Sequence, residues 1–126
     1  MKILLFNPNT TQAMTDRMLA VAATVADPAT ELIPLTASRG VTYIAGSADL
    51  AIASEVVLET LPRYQAGNDA VVIAAFGDPG LIAARAQFGR PVVGMAEAAM
   101  LTACMLGQRF SIISFARPYL SMFGDL

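Results

Sequence analysis

Histidine and tryptophan are absent from this 126-residue chain, cysteine occurs once, and charged side chains make up only 14% of it. Without histidine the chain lacks the commonest acid–base group of neutral pH, and a lone thiol leaves too few soft donors for a zinc site. A single cysteine builds no intrachain disulfide. There is no Lys/Arg cluster, and a formal net charge of −2 disfavours nucleic acid as a partner. The opening run Met1–Phe6 is apolar, but Asn7-Pro8-Asn9 stops it far short of a signal-peptide core or a membrane span. A cytoplasmic location without a membrane partner is the resulting expectation. What the chain does have is apolar mass: 56% hydrophobic residues, enough for one domain with a substantial core.

The apolar residues fall into alternating strand and helix patterns. Residues 2–6 read as a strand covered on both faces, and Asn9, with Gln12 three positions on, reads as the cap of a helix from Thr11 to Ala26. Its apolar stripe is Met14, Met18, Val21, Ala22 and Val25. Glu31–Leu35 is a second strand, placed at a sheet edge by Pro34, followed by a loop from Thr36 to Gly46. A second helix runs from Ser47 to Leu61-Pro62, a third strand from Ala70 to Ala75, and a third helix from Pro79 to Phe88, with Asp78 before Pro79 as its cap. Val92-Val93 is a short strand, Ala96–Leu106 a fourth helix closed by Gly107, and Phe110–Ile113 a further strand. This order predicts an α/β fold with a parallel sheet and right-handed crossovers.

Ligands in such folds sit beyond the carboxyl ends of the strands. That rule gathers Asn7–Thr11, the loop after Leu35, Ala75–Gly80, Gly94–Glu97 and Ser114–Arg117 on one rim. Asn9 and Thr10 offer amide and hydroxyl groups to a polar ligand, although helix capping also explains them. Phe76 forms an apolar wall or packs beneath its loop, and the Gly77-Asp78-Pro79-Gly80 turn presents backbone N–H groups. Tyr43 covers the pocket from a loop long enough to act as a lid. Glu97 favours its helix dipole, and Cys104, among Met100, Leu101, Met105 and Leu106, reads as a small buried side chain. The seven methionines read as core filler or as a subunit contact.

Four segments in order, Phe6-Asn7-Pro8-Asn9-Thr10-Thr11, Ala75-Phe76-Gly77-Asp78-Pro79-Gly80-Leu81, Arg90–Ala99 and Leu106–Ile113, resemble the hydantoin racemase branch of the aspartate/glutamate racemase superfamily. The resemblance implies one flavodoxin-like, parallel-sheet half of a two-domain fold: residues 1–107 as a first half-domain and 108–126 as the beginning of a second, whose remainder is absent. It also implies a cofactor-independent, oligomeric enzyme acting on a small cyclic ureide, a 5-substituted hydantoin or allantoin. One thiolate removes the proton at the stereocentre, and a thiol on the opposite face returns one. Thiols suit the task because both protonation states are accessible near neutral pH.

In the family pattern the first cysteine directly precedes Phe-Gly-Asp-Pro-Gly, and here that residue is Ala75. The resemblance thus makes Ala75 the catalytic position and predicts binding without racemisation, with Asn9, Thr10, Phe76, Gly77, Asp78, Pro79, Gly80, Ser114 and Arg117 as substrate-binding residues. A substitution made to trap a ligand, a paralogue that lost racemisation, and a member using only the distant cysteine each account for Ala75. Two other functions fit the residues: an arylmalonate-decarboxylase-like enzyme with one thiol, and a small-molecule-binding module without turnover.

Overall fold

A computed structural model describes residues 1–114. Four strands, β1 (Lys2–Asn7), β2 (Glu31–Thr36), β3 (Ala70–Ile73) and β4 (Val92–Gly94), form one sheet in the order β2-β1-β3-β4. Every pairing is parallel, with Leu4 opposite Ile33 and Val71, and Ile73 opposite Gly94. The helices are α1 (Gln12–Ala23), α2 (Ser47–Thr60), α3 (Leu81–Gln87) and α4 (Met95–Leu106), with one 3₁₀ turn at Leu61–Tyr64. The expected α/β class and parallel sheet are present, and β2 lies at an edge as Pro34 predicted.

One face of the sheet carries the main core. Leu4, Phe6, Val71, Ile73 and Val92 meet Val56, Val57 and Leu61 from α2 and its 3₁₀ extension, and Leu81 and Ala84 from α3. The other face is less covered. Burial alternates along β3 and β4, and Val93 is exposed.

Helix ends differ from the periodic reading for local reasons. α1 stops at Ala23 because the Thr24 hydroxyl bonds the Val21 carbonyl and the next amides close a tight turn before Asp27-Pro28. Val21 and Val25, expected on the apolar stripe, are exposed. At the far end of α2, Pro62 has no N–H for the α-helical ladder, and the chain tightens into the 3₁₀ turn. β3 ends at Ile73 rather than Ala75: Ala74 N–H makes its bond to the Phe6 carbonyl at 2.7 Å, and the Ala75 carbonyl then turns to accept from Asp78 N–H at 3.1 Å.

The strand expected at Phe110–Ile113 does not form. β4 pairs with β3 alone among the described strands, and Phe110–Ile113 lies instead against Phe76 and the Ala99, Met100 and Ala103 face of α4. Among the described residues no strand offers it a ladder, and Ile113 is left 97% exposed. Cys104, expected in the core, is exposed on α4, as are Leu101, Met105 and Leu106. An apolar neighbourhood in sequence gives burial only when another element packs on that face.

Candidate functional site

The strand order reverses direction between β1 and β3, which places a crevice beyond their carboxyl ends. A cavity of about 370 Å³ opens there. Ala74, Ala75 and Phe76 form its floor after β3, Met14, Arg17 and Met18 come from α1, and Tyr43 and Ile44 come from the loop after β2. Asn9, Met95 and the Ile112–Ser114 segment complete it. Most of this surface is apolar, with a few polar groups at defined points, the usual make-up of a small-molecule site.

The β1 end is locked by a relay of side-chain hydrogen bonds. Asn7, fully buried, donates through Nδ2 to Thr15 Oγ1 at 3.0 Å and to Asn9 Oδ1 at 3.0 Å. Thr15 and Thr36 hydroxyls lie 2.6 Å apart, and Thr36 donates onward to Gln12 Oε1 at 2.8 Å. The relay ties β1, α1 and the end of β2 together, so that every buried polar atom in it has a partner. Asn9 Oδ1 also accepts from Thr11 N–H at 2.9 Å. The asparagine therefore organises the turn into α1, while Thr11 is the residue at the helix cap and makes no side-chain capping bond.

The turn after β3 has an unusual backbone. Gly77 has φ +118°, Asp78 +49° and Gly80 +68°. Gly77 adopts a conformation that residues with a Cβ rarely reach, and a Cβ on Gly80 would lie 3.1 Å from the Ser54 carbonyl oxygen on α2. Asp78 does not cap α3, as its place before Pro79 predicted. Its carboxylate reaches across to α4 and accepts from Ala96 N–H at 2.8 Å and Glu97 N–H at 2.6 Å. The backbone N–H groups of Asp78 and Leu81 are used inside the turn itself, accepted by Ala75 and Asp78 carbonyls.

Burial, the largest influence, raises the Asp78 carboxyl above the ordinary aspartate value, outweighing the two α4 amides that pull it down. Glu97 moves the other way, held below the usual glutamate range first by its hydrogen bond to Arg85. Arg85 grips Glu97 with two guanidinium nitrogens and the Val92 carbonyl with Nε at 2.9 Å, tying α3, β4 and α4 together.

Of the residues singled out in the sequence, Asn9, Tyr43, Ala75, Phe76 and Ser114 line the cavity. Ala75 is half-buried there, with its remaining contacts to the Ile44–Ala53 cluster. Thr10, Gly77, Asp78, Pro79 and Gly80 stand outside the lining. The Thr10 hydroxyl donates to the Val41 carbonyl at 3.4 Å, and Pro79 is fully buried. Arg117 lies outside the described residues. Ile44 and Met95 line it from rim segments the strand-end rule gathers, whereas Met14, Arg17, Met18, Ile112 and Ile113 lie outside those segments. Arg17 was legible: with Met14 and Met18 it falls at i, i+3 and i+4 on one helix face.

A parallel sheet in this strand order, with a cavity at the reversal point, defines an α/β unit of the strand-end-cleft type. The chain belongs to the Asp/Glu/hydantoin racemase family, which matches it over residues 3–124. It is 41% identical over 116 residues to a hydantoin racemase of Paenarthrobacter aurescens, covering 90% of this chain and 49% of that protein. It is 38% identical over 127 residues to a hydantoin racemase of Pseudomonas sp. (strain NS671), covering 100% of this chain and 51% of that protein. Among solved structures it is similar to an allantoin racemase from Klebsiella pneumoniae, with a TM-score of 0.90 and 46% identity over 96% of this chain and 50% of the other. The allantoin racemase from Pseudomonas fluorescens superposes with a TM-score of 0.93 at 31% identity, over 99% of this chain and 53% of the other. The chain thus spans about half the length of the relatives it matches. Among the described residues no helix is long and apolar enough to cross a membrane.

Proposed function

We propose that this chain is the first half of a racemase-type site for a 5-substituted hydantoin or allantoin. In this reading Ala75 stands where the family pattern has its first proton-transfer cysteine, and the chain binds its ligand without racemising it. The observation that carries the reading is the place of Ala75: its methyl group lies at the carboxyl end of β3, half-buried, in the wall of the 370 Å³ cavity. A cysteine there would direct its sulfur toward the same space, and the methyl group cannot accept or return a proton.

Asn9, Phe76 and Ser114 contact the ligand in this scheme, with Arg117 as a further polar group. Thr10 and the Gly77–Gly80 turn act one step back, by holding the rim. Residues 1–107 form the first half-domain and 108–126 begin the second, in a cofactor-independent, cytoplasmic homo-oligomer. The hydantoin and allantoin racemases among the relatives support the ureide as ligand class.

The test restores the thiol. Ala75→Cys, made with Cys104→Ser so that it carries the sole sulfhydryl, is incubated with 5-benzylhydantoin in deuterated buffer at neutral pH. NMR should show deuterium entering carbon 5 above the buffer rate, and the parent should give the buffer rate. A folded Ala75→Cys protein that neither binds the hydantoin nor exchanges its proton would overturn the reading.

A further inference from the structure

We propose that the cavity selects cyclic ureides whose ring substituent at carbon 5 is anionic, with Asn9 holding a ring carbonyl and Arg17 pairing with the substituent. The inference rests on the reading of the cavity as a ureide site and adds to it which members of that class fit best.

The polarity of Asn9 is fixed. Its Oδ1 already accepts two hydrogen bonds, from Asn7 Nδ2 and Thr11 N–H, and only an oxygen can do so. The amide nitrogen is left with a single weak acceptor, Met14 Sδ at 3.5 Å, and Met14 itself lines the cavity. Asn9 is only 6% exposed. A buried amide donor with no oxygen acceptor favours a ligand that brings one, and the ureide carbonyl does.

Arg17 is the second fixed point. It stands one turn from Met14 on the cavity face of α1, exposed at the rim, and it is the charged residue among the described lining. The acids are all engaged elsewhere. Every aspartate and glutamate among the described residues has a partner: Asp16 with Gln12, Glu55 and Glu59 with Arg39, Glu97 with Arg85, and the rest with Lys2 or with backbone amides. Arg17 is in none of these pairs. Arg17 is thus the one formal charge in the described lining, a guanidinium whose fork matches a carboxylate. The apolar surface between Asn9 and Arg17, from Met14, Met18 and Ile44, suits the ring and a short methylene stem.

Calorimetry with the chain as it stands compares 5-(carboxymethyl)hydantoin with its neutral carboxamide analogue. The carboxylate should bind at least tenfold more tightly at low salt, with the advantage shrinking as ionic strength rises. Arg17→Met should abolish that ratio, and Arg17→Lys should keep part of it. Binding of both ligands with no carboxylate preference, or a preference that survives Arg17→Met in a protein of unchanged circular dichroism, overturns the inference and leaves the ureide site standing. Failure of both ligands to bind overturns the ureide reading together with the inference built on it.

Discussion

At the scale of single residues, Asp78 shows how a side chain's partner is chosen by space rather than by sequence order. Directly before Pro79 it has the look of a cap for the helix it precedes, yet its φ of +49° turns the carboxylate onto the first amides of α4. That is possible only because Gly94 has no side chain: a Cβ there would overlap the Asp78 carboxyl group. Asp78→Ala should cost about 1–2 kcal/mol for the lost cap and roughly 1 kcal/mol more for alanine in a left-handed conformation. Gly94→Ala should cost about 1–2 kcal/mol by expelling the same carboxylate. Since both changes break one interaction, the double variant in urea denaturation should be clearly less destabilised than the sum.

The same residue sets a pH dependence. Burial raises the Asp78 carboxyl above its unfolded value, so the folded chain keeps that proton where the unfolded chain has released it. Its contribution to stability is present at acid pH and is lost as pH rises through that interval. Glu97 and Glu59, lowered chiefly by hydrogen bonds from Arg85 and Arg39, run the opposite way: their contribution is present above the ordinary glutamate range and lost as pH falls through their lowered values. Asp78→Asn tolerates the positive φ and deletes only the first slope. Its urea midpoint should therefore rise more steeply than the parent's as pH increases above the ordinary aspartate value.

At the scale of elements, the strands and helices were legible because each carries its own period, and their order alone predicted the parallel sheet. What was not legible was set by contacts between elements. Asn9 read as a cap for α1, but it works as one link in the relay that runs from Asn7 through Thr15 and Thr36 to Gln12. Three elements contribute to that relay, and no window of sequence contains them all. Ala75 and Phe76 were placed at the cavity because the strand-end rule needs only the strand. Ile112 sits in a segment whose apolar, β-type composition predicts a strand and so hides its place in the lining. Thr15→Val tests the relay: it keeps the shape of a fully buried side chain and removes the hydroxyl that Asn7 and Thr36 share. The loss should be about 1–3 kcal/mol, the cost of stranding buried polar partners. Ureide affinity should fall with it, because Asn9 loses the support that orients it.

At the scale of the whole molecule, the apolar composition divides unequally. One sheet face is closed by α2 and α3 around Leu4, Phe6, Val71 and Ile73, all fully buried. On the other side α4 shows Leu101, Met105 and Leu106 to solvent, and Ile113 beyond it is 97% exposed. Exposed apolar surface of this extent promotes association. The two sides should therefore respond in opposite ways to polar or smaller residues. Ile73→Ala removes packed methyl groups from a closed core and should cost about 2–5 kcal/mol. Leu101→Lys and Met105→Lys change side chains that are 60% and 79% exposed, so together they should stay within about 1 kcal/mol of the parent. Sedimentation velocity over a range of concentrations separates the two effects. The lysine pair should lower the sedimentation coefficient at high concentration toward that of a single chain, whereas Ile73→Ala should leave the concentration dependence in place and lower only the urea midpoint. Equal destabilisation by both would mean that α4 is packed in solution on a surface these contacts do not include.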